Sequence, residues 1–176
     1  VGNGALFYNE TGNYNTAIGG SAMGGASGNS HQNNTAVGYK SLFGVTTGND
    51  NSALGYNSLY STTTARYQVA IGAQALYSNT AGDNGVAIGR QALYNLDQTT
   101  NTHVVAVGNA AGYSMTSGKY NSILGSAAGY FNQTGDYNTV MGYAAGYGIT
   151  GKSTDNVTAI GARALQNIVG NESTAV

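Results

Sequence analysis

The sequence predicts an all-β protein, a parallel β-solenoid or β-roll of about ten rungs, each built from 17 or 19 residues. Three observations lead to this prediction. A small-apolar-glycine signal recurs along all 176 residues, a second short block follows each of these glycines, and length varies only in the polar segments between repeats. Blocks of four or five residues that are rich in Val, Ile, Thr and Tyr, and bounded by Gly and Asn, are typical of strands rather than helices.

Ten glycines share one phase of the repeat and end the first block of each unit. Nine of these blocks are complete, as at residues 16–19 and 158–161, and successive glycines lie 17 or 19 residues apart. Glycine is needed at such a corner if the backbone turns with a positive φ or if a Cβ would collide with the adjacent rung. The predicted corner glycines are Gly2, Gly19, Gly38, Gly55, Gly72, Gly89, Gly108, Gly125, Gly142 and Gly161.

A second block follows each corner glycine at a fixed distance. Ala or Ser comes three residues later, Leu or Met comes four residues later in most units, and an aromatic residue often comes fifth. These pieces are too short to be stable helices, so the prediction is a second short strand in each rung. Gly112, Gly129 and Gly146 replace Leu, and Ile123 and Val140 replace the small residue of the first block, so these consecutive units are expected to pack differently.

A 17-residue unit cannot bury an apolar face by itself, so the repeats are expected to stack in register around a thin continuous core. Ten rungs at about 4.8 Å each give a rod about 48 Å long. Residues 1–176 then form a single repeat array that begins and ends in mid-repeat, which favours a segment of a longer fibre over a unit that stacks end to end with copies of itself. The two-residue insertions fall in the polar loops, as at residues 95–102 and 148–155, where surface loops tolerate changes in length.

Alternation along each first-block strand separates two faces. The large aliphatic residue before the corner glycine shares a face with the Thr, Ser or Val two residues earlier, and the intervening residue, usually Ala, lies opposite. A row of small residues favours close approach by another backbone. Since only 7% of residues are charged, much of the surface is uncharged, and copies of the same chain would cover it. A homotrimer is the natural closed arrangement, although periodicity alone does not choose three copies over two.

The repeated pattern Asn-Thr-Ala-Ile/Val-Gly-x-x-Ala/Ser-Leu resembles the head repeats of trimeric autotransporter adhesins and the longer-loop repeats of phage tail fibres. The resemblance implies a left-handed β-roll, three of which pack around one axis, and a role in attachment. It also implies that the residue before each glycine lines the core of the roll while the alanines approach the threefold axis. The core residues so implied are Val1, Ile18, Val37, Leu54, Ile71, Ile88, Val107, Leu124, Met141 and Ile160. The axis-facing residues so implied are Ala17, Ala36, Ala53, Ala70, Ala87, Ala106 and Ala159.

Composition argues against several classes of function. The net charge is −1, and six Lys and Arg residues form no electrostatic footprint for nucleic acid or for an anionic membrane. No apolar run reaches the length of a membrane-spanning helix, and the absence of cysteine excludes disulfides and thiol nucleophiles. His31 and His103 are expected to be exposed in loops, and no nucleophile stands in a fixed relation to either. We therefore expect neither enzymatic activity nor a cofactor.

A metal site is not expected either. Asp83, Asp136 and Asp155 share one phase of the repeat, and the turns at residues 48–51 and 82–85 resemble calcium-binding β-roll turns. Calcium needs several carboxylate or carbonyl oxygens for each ion, and one Asp in each turn is too few. These carboxylates are also too far apart along the repeat to form a catalytic pair, except for the last two.

The tyrosines are the most informative surface candidates. Thirteen of the 14 fall at three phases of the repeat, which predicts rows of aromatic rings along the rod. One interpretation is a stacked ladder that shields the edges of the core, and the other is an exposed row that binds sugars or proteins. The candidate binding residues are Tyr39, Tyr56, Tyr60, Tyr77, Tyr94 and Tyr143.

The sequence therefore favours a fibrous, trimeric attachment segment of a surface adhesin or a phage-type tail fibre. Its partners would be further copies of itself and a cell-surface glycan or protein, with no nucleic acid and no membrane insertion in this segment. The expected location is extracellular, on a cell surface or a virion. Two alternatives stay open: an architectural filament subunit without a receptor, and a monomeric solenoid that binds ice or another crystal surface.

Overall fold

Ten short parallel strands form one continuous sheet in this computed structural model, which describes residues 1–25, 27–99, 102–148, 150–168 and 170–176. Each strand pairs with its neighbours in the chain, so the order in the sheet is the order in the sequence. The strands are β1 Thr16–Ile18, β2 Thr35–Val37, β3 Ser52–Leu54, β4 Val69–Ile71, β5 Gly85–Ile88, β6 Val104–Val107, β7 Ser122–Leu124, β8 Thr139–Met141, β9 Thr158–Ile160 and β10 Thr174–Ala175.

The strands pair in the register that the repeat predicts. Ala36 of β2 stands beside Ala17 of β1 on one side and Ala53 of β3 on the other, and this pattern continues along the chain. The described residues include no helix. The prediction of an all-β parallel solenoid with about ten turns is confirmed. The insertions at residues 95–102 and 148–155 lie partly outside the described residues, at 100, 101 and 149.

The corner glycines are required for the two reasons that the sequence suggested, except at Gly161, where only the positive φ applies. Their φ angles run from 117° to 139°, a region that side chains rarely adopt. At Gly55, a Cβ would also lie 2.6 Å from the carbonyl carbon of Gly72 in the next rung. A side chain at such a corner would therefore collide with the backbone of the next rung.

The prediction of a second strand in each rung is wrong, because the described residues form turns there. The leucine of this block has a left-handed backbone, with φ of 49° at Leu42 and 50° at Leu59, and a strand cannot contain such a residue. The turns still stack by backbone hydrogen bonds between rungs: the Leu42 N–H donates to the Ser58 carbonyl at 2.9 Å. Each rung thus has one strand and one stacked turn.

The core is the reverse of the implied one. The small central residues of the strands are buried, as at Ala36 and Ala70, whereas Leu54 is 49% exposed and Ile71 is 39% exposed. The second block of each rung, which forms the turn, is called the turn block below. Its buried leucines fill the roll from the side opposite the strands, which leaves space for only a small side chain from most strands. The residues wrongly placed in the core are Val1, Ile18, Val37, Leu54, Ile71, Ile88, Val107, Leu124, Met141 and Ile160, and the residues wrongly placed outside it are Ala17, Ala36, Ala53, Ala70, Ala87, Ala106 and Ala159.

The three units with glycine in place of leucine confirm the expectation of different packing. Ile123 and Val140 extend from β7 and β8 into the volume that leucine occupies in other rungs. A Cβ on Gly146 would lie 3.1 Å from Cγ1 of Val140, and one on Gly129 would lie 3.4 Å from Cδ1 of Ile123. In the rungs of β7 and β8 a large residue in the turn and a small one in the strand have therefore exchanged places. The rung of β6 has small residues at both positions, Ala106 and Gly112, and a Cβ on Gly112 would meet Leu93 and Ile123 of the neighbouring rungs.

Buried asparagines connect the rungs just before the strands. The Asn51 N–H donates to Oδ1 of Asn34 at 2.9 Å, and Oδ1 of Asn51 accepts from the Gln68 N–H at 3.0 Å. Nδ2 of Asn51 donates to the Ala65 carbonyl at 2.8 Å. Each asparagine thus satisfies backbone groups that turn away from the sheet and would otherwise be buried without partners.

Candidate functional site

A continuous row of large aliphatic side chains runs along the outer face of the sheet. This aliphatic strip consists of the residues that precede the corner glycines: Ile18, Val37, Leu54, Ile71, Ile88, Val107, Leu124, Met141 and Ile160. Its members are exposed or half-buried, and Ile18 is 47% exposed. None of the ten strands contains a charged residue. The strip is therefore an uncharged apolar surface as long as the sheet.

The geometry of the strip follows from the parallel register. Residues of equal phase, such as Leu54 and Ile71, are paired directly across adjacent strands, so their side chains lie side by side at the strand spacing of about 4.8 Å. Parallel sheets in globular proteins are ordinarily covered on both faces. Here the alanine face is covered by the turn block of the same chain, and the chain itself leaves the strip open.

A column of stacked aromatic rings stands on another side of the roll. This aromatic column consists of Phe43, Tyr60, Tyr77, Tyr94, Tyr113, Tyr130 and Tyr147. Neighbouring ring centroids are 5.0 to 5.3 Å apart, and the planes are within 19° of parallel. Burial, and then the neighbouring phenols of Tyr77 and Tyr113, raises the pKa of Tyr94 above its ordinary value. Rings within the column cover one another's faces, so those faces cannot stack on a ligand.

The six candidate tyrosines do not form one site. Tyr60, Tyr77 and Tyr94 belong to the aromatic column. Tyr39 and Tyr56 form a separate stacked pair beside the strip, with centroids 5.9 Å apart, and both rings are half exposed. Tyr143 lies five rungs farther along, 56% exposed.

A polar groove crosses four rungs on the loop side of the roll. This loop groove encloses about 530 Å³ and is lined by Thr47, Asn49, Thr64, Arg66, Ala81, Asp83 and Thr99. Arg66 and Asp83, two of these lining residues, form an ion pair. Nη2 and Nε of Arg66 donate to Oδ2 of Asp83 at 2.8 and 3.2 Å. The backbone N–H of Arg66 donates to Oδ1 of the same carboxylate at 2.6 Å. The hydrogen bond with Asp83, and then its charge, raises the pKa of Arg66.

A second polar groove continues the first along the rod. Its lining is Asp97, Gln98, Thr99, Ser117, Lys119, Thr134 and Asp136, so Thr99 lines both grooves. The Lys119 N–H donates to Oδ1 of Asp136 at 2.7 Å, and the Asp136 N–H donates to Oδ1 of Asp155 at 2.8 Å. The aspartates that share a phase thus tie one rung to the previous one, and they do not face each other as a catalytic pair would.

The histidines occupy two different environments. His103 is exposed, as expected, and stacks on Tyr120 with ring centroids 5.2 Å apart. The expectation for His31 is wrong: its side chain is fully buried, and neither ring nitrogen has a hydrogen-bond partner among the described residues. Burial lowers the pKa of His31 below its ordinary value of 6.5. His31 is buried because of its position in the repeat. The residue at the same position one rung later is Gly48, which is also buried.

Neither a metal-binding cluster nor a membrane-spanning helix is present in the described residues. No three His, Cys, Asp or Glu side chains of the described residues lie close enough together to hold a metal ion. In the same part of the chain, there is no helix of the length and hydrophobicity that crossing a membrane requires.

Sequence reasoning missed the Arg66–Asp83 pair, although its signal was present. The two residues are 17 positions apart, which is one full repeat, so the repeat places them side by side in adjacent rungs. Comparison of the chain with protein-family models, with curated proteins and with solved structures finds no match.

Proposed function

We propose that the chain is a segment of a trimeric attachment fibre and that the aliphatic strip is the surface through which three copies pack. The observation that carries this proposal is an uncharged apolar strip along a parallel sheet whose outer face is open. Large contiguous apolar patches on soluble proteins mark interaction surfaces. A second copy fits the strip well, because it presents the same row at the same spacing and brings no charge to be desolvated.

Closed packing around an axis covers the strip of every copy, whereas a monomer would expose it along the whole rod. Three copies are proposed because of the resemblance of the repeat to trimeric surface fibres. The loops and their grooves contain no residue of the strip, and we propose that they are left free on the outside of the fibre. Such an arrangement presents equivalent loop surfaces on three sides and supports attachment by avidity.

Sedimentation tests the trimer. The wild-type chain is expected to sediment at three times its mass of 17.8 kDa. The double variant Leu54→Lys/Ile71→Lys places two charges on the strip and is expected to sediment as a monomer with an unchanged strand signal in circular dichroism. Its matched control, Thr116→Lys/Thr150→Lys, adds the same charge to exposed loop positions and should remain trimeric. A wild-type monomer at micromolar concentration would contradict the proposal.

The role in attachment needs a separate test. Fluorescently labelled wild-type chain is expected to be retained on at least one of a panel of bacterial and animal cell surfaces, more strongly as a trimer than as the Leu54→Lys/Ile71→Lys monomer. Retention on none of them, with the trimer intact, would favour an architectural filament. One observation favours that alternative. The rings of the aromatic column stack on one another, so their faces are not available to a receptor.

The strip also bears on the ice-binding alternative. The outer face carries Thr or Ser in only some strands at the first position, and Val69, Val86 and Val105 replace it in the centre of the sheet. Bulky Leu54, Leu124 and Met141 stand in the other outer row. A regular hydroxyl array is therefore interrupted, and no thermal hysteresis is expected from the wild-type chain.

A further inference from the structure

We propose that the loop groove binds a short, linear, uncharged oligosaccharide. The groove is then the receptor-binding surface of the attachment fibre, and in this sense the inference rests on the proposed function.

The polar atoms of the groove form a fixed centre with free groups around it. Asp83 is 8% exposed and holds the guanidinium of Arg66 through two side-chain hydrogen bonds. Both bonds end on one carboxylate oxygen, and the planar guanidinium loses little side-chain entropy for each hydrogen bond that it forms. The guanidinium itself stays half exposed, and Nη1 is not used by Asp83. The exposed hydroxyls of Thr47 and Thr64 stand in the adjoining row. Sugar hydroxyls both donate and accept, and this set supplies partners for both roles.

Tyr67 provides an aromatic face of the kind on which the C–H face of a sugar ring packs. It follows Arg66 directly, its ring centroid lies 5.8 Å from the guanidinium carbon, and it is 54% exposed. One repeat before it stands Asp50, and one repeat after it stands Asn84. Tyr67 therefore has no aromatic neighbour in its row, in contrast to Tyr120, which is stacked on both sides.

Charge indicates that the sugar is neutral. Arg66 and Asp83 cancel each other in the loop groove, and the second groove holds Asp97 and Asp136 against Lys119. The combined surface thus carries a net charge of −1, and the Arg66 charge is already paired with Asp83, so neutral sugars are favoured over sialic or uronic acids. A peptide is disfavoured, because the lining has no apolar pocket for an anchoring side chain.

The groove is elongated in the direction of the rod. Its lining comes from four successive rungs, from Asn49 to Thr99, so it spans about 14 Å at about 4.8 Å for each of three intervals. A short linear oligosaccharide matches this shape better than a single sugar does. The second groove offers a continuation beyond Thr99 for longer chains.

The test uses the full chain, immobilised and probed with an array of linear oligosaccharides built from neutral hexoses and N-acetylhexosamines. The same backbones carrying sialic or uronic acid are included. Wild type is expected to retain neutral probes and to bind the acidic ones at least about tenfold more weakly. Arg66→Lys, which keeps the charge and loses the fork, and Tyr67→Ala are each expected to weaken binding about ten- to hundredfold. Thr64→Val removes one hydroxyl and is expected to weaken it less.

The matched controls are Arg163→Lys and Tyr14→Ala. Arg163 also lies over a tyrosine ring, at 5.9 Å from Tyr143, but outside the groove, and Tyr14 shares the phase of Tyr67 three rungs away. Both controls should bind like wild type. The proposal is overturned if wild type retains no neutral oligosaccharide, or if Arg66→Lys and Tyr67→Ala bind within about twofold of wild type.

The outcome is separable from that of the proposed function. If wild type and Arg66→Lys adhere equally to the cells that retain the chain, the groove is not the receptor site, while attachment stands. If wild type binds neutral oligosaccharides and both groove variants lose them, but no cell surface retains the chain, the groove proposal stands and attachment falls.

Discussion

A histidine without hydrogen-bond partners is the least favourable polar residue of the described core. His31 is fully buried. Other rungs have small residues at this position of the repeat, such as Gly48 and Ala65. Its neutral form is tolerated there, although each unpaired nitrogen costs free energy. Its protonated form would place a charge in the same site, and burial accordingly lowers its pKa.

We therefore expect the free energy of unfolding to fall as pH drops below 6.5. The unfolded chain takes up a proton at the ordinary histidine pKa of 6.5, whereas the folded chain does so only at lower pH. Between these two values the unfolded state binds more protons, so stability decreases with falling pH and levels off below the pKa of the folded state. Urea unfolding at a series of pH values measures this dependence.

Variants isolate the contribution of His31 to this pH dependence. His31→Leu fills the same apolar corner without a titrating group and should lose the slope just below pH 6.5, while gaining stability above it. His103→Gln removes the exposed histidine and should retain the slope. An unchanged slope in His31→Leu would mean that another group titrates in this range.

At the scale of one element, strand and turn block share a fixed interior volume. Most rungs combine a strand alanine with a turn leucine, and the rung of β8 combines Val140 with Gly146. Gly146 has a φ of 49°, the value that Leu42 and Leu165 adopt at the same phase. The backbone there would accept leucine, and the first atoms that a Cβ would meet are those of the Val140 side chain.

This exchange predicts strong coupling between the two positions. Val140→Ala alone opens a cavity and should cost about 2 kcal/mol. Gly146→Leu alone overfills the rung and should cost about 1–3 kcal/mol. The double variant rebuilds the common rung and should recover most of both losses, which gives a coupling energy of at least about 1 kcal/mol in a double-mutant cycle. Additive losses, measured by urea unfolding, would show that the two side chains do not share one space.

The repeat predicted the register, the corner glycines and the solenoid, because these depend only on phase. It could not predict which face of a strand is buried, since Ala36 and Val37 are both apolar and alternation alone does not tell inside from outside. The buried face is determined by the leucines with left-handed backbones. Leu59 extends into the roll from a turn, and only a small strand residue such as alanine fits against it. Positive φ at leucine is uncommon enough that no propensity indicates it.

The site shows the same division between phase and environment. Asp83 and Arg66 could have been paired from their spacing of one repeat. The stacking of Tyr60 on Tyr77 and the isolation of Tyr67 were likewise readable, because they depend on which residues stand one repeat away. The burial of Asp83 was not readable, since it depends on where its row lies around the roll.

At the scale of the whole molecule, stability is a sum over rungs. Each strand contacts the strands before and after it, and the corner, asparagine and aromatic contacts all connect adjacent rungs. Such a chain behaves as a one-dimensional array in which every interior rung is held by two similar interfaces. Removing a complete rung should therefore bring together two surfaces that already match.

Deletion of residues 56–72 tests this property. It joins Gly55 to Ala73, removes one full repeat and leaves every remaining row in phase, with Phe43 now facing Tyr77. We expect a folded chain whose urea m-value falls by about a tenth, in proportion to the surface buried. Deletion of residues 56–63 removes about half a repeat, so corner glycines would face loop residues, and this variant should lose the cooperative transition. If the full-repeat deletion were as damaging as the half-repeat deletion, the rungs would not be interchangeable units and a long-range contact would have to hold the array together.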